Sequence, residues 1–446
     1  MAVKQFDVMV IGGGAAGLMA AGTAADNSKQ VVLIEKNPVL GKKLLITGKG
    51  RCNLTNYCDV NDLIQNTPVN GRFMTNSFYR FSAYDTLAFF NDLGLETKIE
   101  RGNRVFPKSD KAIDVVKKLI KYISQNKVEV IHSAVSNIQL FGKLFAAKLI
   151  NGEVVRAENL IIATGGKSYP GTGSTGDGYK FARSFGHKVT KFKPSLVPIE
   201  AMEFLQPNGR SESSTMVEEK KQSRTITEDS KAKPSVRSVR VPALQGLAIK
   251  NAGITITDNN GKIIYEDFGE LLFTHFGVSG PVILSASSHI SKIKNNILHI
   301  DLKPALSEET LDKRLQKEFK ENSNKNFQNI LKHLLPSKML PVFIILSQIS
   351  AEKKAHQISR KERMRIIELM KDFSIKLDKL RPIKEAIITS GGVDVKEINP
   401  KTMESKIVPG LYFAGEIIDV DAYTGGFNLQ IAWSTGFCAG QSCAEK

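Results

Sequence analysis

Asp7-Val8-Met9-Val10-Ile11-Gly12-Gly13-Gly14-Ala15-Ala16-Gly17, followed by Val31-Val32-Leu33-Ile34-Glu35-Lys36, is the stretch that decides the fold. An apolar run enters a glycine turn, an alanine-rich helix follows, and a second apolar run ends in an acid. Gly12 permits the tight turn out of the strand, Gly14 lets the backbone approach a pyrophosphate, and Gly17 lets the helix pack on the strand. Ala15 and Ala16 open the helix, whose free N–H groups and positive dipole end suit phosphates. Glu35 stands where a carboxylate can accept bonds from ribose hydroxyls. The spacing predicts a dinucleotide-binding βαβ unit rather than an ordinary one with a glycine turn.

The rest of the chain extends this reading. Lys111 to Gln125 has helical periodicity, and Val128 to Ile131 reads as a strand. Leu144 to Ile150 and Glu153 to Ala157 flank Asn151-Gly152 as a hairpin. Residues 159–166 read as a buried strand running into glycines. From about residue 190 the texture turns to short β segments: Gly253 to Thr257, Lys262 to Glu266 and Ile297 to Leu302, an antiparallel sheet or small barrel. Pro207 to Arg240 is polar and poor in large apolar residues, so it reads as a flexible insertion. Residues 306–372 have a helical pattern, with Ser307 as N-cap and Pro336 and Pro341 as breaks. Strand character returns at Ile383 to Thr389 and at Gly410 to Glu416.

The composition narrows the function classes. The chain has 446 residues, enough for two or three domains, and four cysteines, too few for a disulfide framework. Its longest apolar run, Met339 to Leu346, is far too short to span a membrane. The first strand begins by Phe6 and leaves no room for a signal peptide, so a cytoplasmic protein is expected. The net charge of +17 suits an anionic partner. No nucleic-acid module accompanies it, so a small-molecule substrate is expected and nucleic acid is not. The oligomeric state is left open.

FAD is favoured over NAD by two strand ends. Ala163-Thr164-Gly165 resembles the "ATG" strand end of two-dinucleotide-domain flavoproteins, and Gly415-Glu416 resembles their late acid-bearing strand. Both chain ends then build one cofactor domain. Gly425-Gly426, opening a helix with Asn428 and Leu429, would aim N–H groups at the flavin pyrimidine edge. Residues 40–56 follow the first acid, and there Lys43 and Arg51 could neutralise the pyrophosphate. Gly50, Cys52 and Asn53, together with Lys36 and Val135, complete the residues expected at the cofactor. Cys52 and Cys58 could form a redox pair, but a packing or flavin-contact role for Cys52 is favoured. No Cys/His cluster has metal-ligand spacing. His275 and Tyr423 are the candidates for proton transfer.

Residues 40–56 carry a resemblance to a known family, together with 171–179, 272–281 and 389–428. The chain resembles the bacterial aminoacetone oxidase-type, or bile-acid-reductase-like, NAD(P)/FAD-dependent oxidoreductases. The resemblance implies an α/β protein whose Rossmann-like two-dinucleotide-binding FAD domain is interrupted by a β-barrel-like domain carrying a helical insert. The expected bounds are 1–190 with 390–446 for the FAD domain, 191–305 with 373–389 for the β-rich domain, and 306–372 for the helical subdomain. The activity implied is hydride transfer between a small organic substrate and N5 of non-covalently bound FAD. Oxygen or NAD(P)H as second substrate stays open, as does oxidase against reductase. A fumarate-reductase-like flavoprotein, an RNA-linked or non-enzymatic flavoprotein and a plain NAD dehydrogenase are the rivals.

Overall fold

The computed structural model describes residues 4–205, 240–290, 293 and 295–445. Residues 207–239 of the expected insertion lie outside the described residues. The chain forms two compact units, Met1–Val197 with Pro382–Lys446, and Pro198–Arg381.

The first unit is built on a seven-stranded sheet. Its strands are β1 (Lys4–Ile11), β2 (Val31–Glu35), β3 (Glu129–His132), β4 (Val135–Phe141), β5 (Leu144–Leu149), β6 (Val154–Ile162) and β7 (Leu411–Phe413). The order is β3-β2-β1-β6-β5-β4, and β7 pairs with β6. Five strands run parallel: β3, β2, β1, β6 and β7. Val8 to Ile11 and all of β2 are buried, as parallel strands covered on both faces must be. The expected hairpin and the expected buried strand turn out to share β6. Its first half pairs antiparallel with β5 and its second half parallel with β7, while all of it lies on β1.

Registers Ile11↔Ile34, Ile11↔Ile162 and Phe413↔Ile162 bring four parallel strands to an end at one edge. Ligands of open α/β sheets bind outside the carboxyl ends of the strands. Helix α1 (Ala15–Asp26) leaves that edge, and α2 (Phe427–Ala444) packs against it. A Cβ at Gly436 would lie 2.5 Å from the Ala16 carbonyl oxygen, and one at Gly440 2.5 Å from that of Ala20. The small residues of both helices therefore allow backbone-to-backbone approach. This weld fixes the C-terminal segment beside the N-terminal fingerprint.

The second unit contains an eight-stranded antiparallel sheet with its own core. Its longest strands are Ala248–Thr257 and Ile263–Phe273, with Ile297–Asp301 alongside. The path runs from Glu203–Phe204 to Lys379–Leu380. Glu203–Phe204 follows Ile199–Glu200 and Lys379–Leu380 follows Ile375–Lys376 across links of two residues each. Both ends of the path are thus held near one another, giving a barrel-like curl. Ser307 caps helix Glu308–Glu321, its hydroxyl accepting from the Thr310 N–H at 3.2 Å. Leu311, Leu315 and Ile366 of the helical stretch share one core with Ile254 and Leu298 of the sheet.

Candidate flavin site

At the strand edge the fingerprint residues take three different tasks. Gly12 has φ +105°, and a Cβ there would meet the Ala163 carbonyl oxygen at 2.6 Å. A Cβ on Gly17 would sit 1.8 Å from the Gly12 carbonyl oxygen, so this glycine seats α1 on the turn. Gly14 differs: a Cβ there meets nothing within 4 Å. It is the N-cap of α1, with no side-chain cap and no acid in the first turn. The first-turn N–H groups of Ala15, Ala16 and Gly17 have no intrahelical partner, and the space before them is free of protein atoms near Gly14. An anion fits this space.

Glu35 is buried at the end of β2. Its Oε2 accepts from the Gly13 N–H at 2.6 Å, and its Oε1 accepts from the Asn37 backbone N–H at 2.8 Å and the Asn37 amide at 2.6 Å. The carboxylate is thereby held in one rotamer, with acceptor capacity left for hydroxyls. Lys36 turns to the 171–178 loop, its Nζ 2.6 Å from Asp177 and 2.5 Å from the Thr175 hydroxyl. Burial pushes the Asp177 carboxyl up, but bonds from Lys36 and Thr175 outweigh this and leave it below its ordinary value. Val135 begins β4, partly buried, opposite Leu149.

The two cations expected at the pyrophosphate already have carboxylate partners. Lys43 bonds Glu416 Oε2 and the Ser168 hydroxyl, both at 2.7 Å. Glu416 Oε1 accepts from the Ser168 hydroxyl at 3.0 Å and the Thr389 N–H at 2.8 Å. Arg51 forks onto Glu100 and Asp110 at 2.5 Å each and lies 4.1 Å over the Phe106 ring. Those bonds to Glu100, then Asp110, raise the guanidinium further above its ordinary range, and they hold both carboxyls low together with Lys98. Arg51 thus anchors the hairpin Thr97–Glu100/Arg104–Pro107. Gly50 is open to the extent that a Cβ would meet only the Leu45 carbonyl, at 4.0 Å.

Cys52 is fully buried at φ +61°, and Cys58 is also buried; both thiols are free. Burial pushes each up to about 12, so they stay protonated and unreactive at neutral pH. Asn53 Oδ1 and Thr164 Oγ1 are buried with no hydrogen-bond partner. Orphaned buried polar atoms are what a polar ligand would satisfy. Ala163 continues β6 with its N–H on the Ile11 carbonyl at 2.9 Å, and Gly165 follows at φ +72°.

The C-terminal loop is held from several sides. Gly415 donates to the Thr435 hydroxyl at 2.9 Å. Gly426, at φ +103°, would place a Cβ 2.4 Å from the Thr55 backbone, so it serves packing first. Asn428 spends its amide on the loop itself, bonding Ala422 N–H and both the Ala422 and Tyr423 carbonyls. Leu429 is partly buried in the first turn of α2. Tyr423 is partly buried, its N–H on the Asn66 carbonyl. His275 belongs to the second unit, exposed, with its ring edge-on to Phe276 at 4.9 Å.

Several contacts of this site leave no signal in sequence spacing. The Gln430 amide accepts from the Thr55 and Thr86 hydroxyls and donates to the Phe81 carbonyl and the Ser434 hydroxyl. Asn56 Nδ2 bridges the carbonyls of Gly102, at 2.9 Å, and Gly425, at 3.1 Å. Ser168 and Thr389 meet Glu416 over hundreds of residues. Among the described residues no group of His, Cys, Asp and Glu could hold a metal ion, and no helix is long and apolar enough to cross a membrane.

A Rossmann sheet, an open helix N-terminus beside a held acid, and buried polar atoms left without a partner fit an FAD-binding oxidoreductase of the α/β class. Residues 6–442 match the HI0933-like protein Rossmann domain, and the chain belongs to that family. It is 31% identical over 446 residues to the 3-dehydro-bile acid delta(4,6)-reductase of Clostridium scindens, covering 98% of each chain. It is 30% identical to the ribosomal RNA dihydrouridine synthase of Escherichia coli, covering 100% of each. In fold it is similar to 3-ketosteroid-delta4-(5alpha)-dehydrogenase from Rhodococcus jostii RHA1, with TM-score 0.50, 13% identity, and coverage of 99% of this chain and 97% of that one.

Proposed function

We propose that this chain is an FAD-dependent reductase that saturates a carbon–carbon double bond conjugated to a carbonyl. One observation carries the reading. Two relatives of nearly equal identity, matched end to end, have names that denote this same chemistry on unlike molecules. A 3-oxo steroid with a 4,6-diene and the uracil ring both present an alkene polarised by a carbonyl. Non-covalent FAD supplies a hydride at N5, with NADH or NADPH as the source of electrons. Gly12, Gly14, Ala15, Ala16 and Gly17 would hold the pyrophosphate and Glu35 the ribose. Asn53, Thr164 and Gly165 would line the remainder, and the Lys43–Glu416 pair would fix the strand end beneath it. His275 and Tyr423 stay as proton-transfer candidates.

A specific observation favours RNA as the substrate, against the expectation of a small molecule alone. Arg101 and Arg104 are exposed at the hairpin tip and have no carboxylate partner among the described residues. Asn56 ties that tip to Gly425 of the glycine turn. Together with the net charge of +17, this suits a polyanion beside the flavin loop. A cytoplasmic location agrees with this reading.

The test is anaerobic. The FAD-loaded protein is reduced with NADH or NADPH and mixed with a 3-oxo-4,6-diene steroid, a uridine-containing RNA, or fumarate. Flavin reoxidation with a product heavier by two hydrogens is expected for an enone or a uridine. Rapid reoxidation by air with peroxide release, and by none of the unsaturated compounds, would overturn the reading in favour of an oxidase.

A further inference from the structure

Asp421 stands apart from the other carboxylates of the strand edge. It is 1% exposed, and neither carboxyl oxygen has a hydrogen-bond partner of ordinary geometry. Among the described residues it has no ion pair, whereas Glu416 is held by Lys43, Ser168 and Thr389. The loop that carries it is tethered on both sides. Residue 421 bridges Val69 through the backbone, Asn70 bonds the Asp419 carbonyl, and Asn428 holds Ala422.

The groups that face it come from three segments. Ser195 and Ser390, on the paired strands Lys193–Ser195 and Ile388–Ser390, present hydroxyls that lower its proton affinity slightly. Asp419 and Glu416 are both acidic and raise it, Asp419 being itself raised by burial and lowered by the hydrogen bond from Thr190 and the charge of Lys193. Burial is the largest influence, and Asp421 is pushed up to about 6. A buried, unpaired acid costs stability and persists where it serves the site. An acid at the edge of ionisation, in low dielectric and five residues before the turn that opens α2, responds strongly to any new nearby charge.

Resting on FAD binding as read above, we propose that Asp421 is the proton store of this redox site. When two electrons arrive on the bound flavin from a dihydronicotinamide, the Asp421 carboxylate takes one proton from solvent and forms an O–H bond. When the electrons leave with the reduced product, that O–H bond breaks and the proton leaves too. Asp421 is a positioning residue in this scheme, acting on charge and not by contact with substrate.

The experiment is spectroelectrochemical titration of the FAD-loaded protein between pH 5 and 8, comparing the wild-type protein with Asp421→Asn. One extra proton per two electrons steepens the potential–pH line by about 30 mV per pH unit. The wild-type line is expected to be steeper by this amount in a window beginning near pH 6, and the Asn line is not. The reduced-minus-oxidised infrared difference spectrum of the wild-type protein should carry a protonated-carboxyl band that Asp421→Asn lacks. Parallel lines with unchanged infrared bands overturn the proposal, even for an active reductase. A steeper wild-type line in a protein that reduces no enone or uridine sinks the proposed substrate chemistry and leaves the proton store standing. Should Asp421→Asn not fold, the wild-type infrared difference decides alone: no protonated-carboxyl band on reduction overturns the proposal.

Discussion

Gly14→Ala separates folding from cofactor binding at one atom. Gly14 has φ −85° and ψ −166°, an extended conformation open to any residue, and a Cβ there meets nothing within 4 Å. The folded chain therefore loses only N-cap preference, about 0.5–1 kcal/mol. A bound pyrophosphate would occupy that same space. A methyl group there pushes the phosphate off roughly two first-turn N–H groups, each charge-assisted bond contributing about 1.5–3 kcal/mol. The loss is about 3–6 kcal/mol, or at least roughly 100-fold in FAD affinity. Thermal unfolding of the apoprotein and fluorescence titration with FAD read the two quantities separately. Gly17→Ala is the contrast, because its Cβ would lie 1.8 Å from the Gly12 carbonyl oxygen and the turn itself must open. Gly14→Ala binding FAD within about threefold of the parent affinity would refute the placement of the pyrophosphate.

Four further outcomes are expected. Gln430→Leu strands the Thr55 hydroxyl, while the Thr86 hydroxyl keeps the Ser82 carbonyl and the Ser434 hydroxyl keeps the Phe81 carbonyl, so urea unfolding should show a loss of about 1–3 kcal/mol. Cys52 and Cys58, pushed up to about 12, should resist a thiol reagent at pH 8 in the folded protein and react once it is denatured. If RNA is the substrate, Arg101→Ala with Arg104→Ala should weaken binding and flatten the salt dependence by roughly one unit of slope per lost phosphate contact. Asp421 is raised in the fold from 3.8 to about 6, so the stability it contributes is full below pH 3.8 and is lost as pH rises through about 6. Asp421→Asn should therefore be the more stable protein at pH 7.5, by about 1–3 kcal/mol, with the difference shrinking toward pH 4 in denaturant titrations.

The fingerprint was legible because each glycine answers a local demand that sequence spacing records. The strand-turn-helix and the acid at Glu35 fall where the pattern put them. Ser307 was legible for the same reason, its cap lying three residues from its partner. The strand Val154–Ile162 was read as two pieces, since nothing local shows that one strand pairs with β5 along its first half and β7 along its second. Charge roles were the least legible. Arg51 follows glycines suited to a phosphate, yet its fork is used on Glu100 and Asp110, which lie 49 and 59 residues away. A cation's partner is decided by tertiary approach, and sequence spacing carries no record of it.

The cofactor is easier to read than the substrate for the same reason. On the proposed reading FAD would meet backbone N–H groups, a helix end and glycines, and these leave a strict pattern in the chain. What is reduced depends on side chains brought together from afar, such as Asn56 joining the hairpin tip at Gly102 to the turn at Gly425. That one amide places Arg101 and Arg104 near the C-terminal loop without any signature linking residues 56, 102 and 425. Relatives with a bile acid and a ribosomal RNA in their names, each matched along nearly its whole length, fit this division. On the proposed reading the sheet edge would hold the cradle, and surface segments such as the 97–107 hairpin would carry selectivity. Exchanging that hairpin alone should accordingly change which unsaturated carbonyl is bound while leaving FAD affinity to Gly14 and its neighbours.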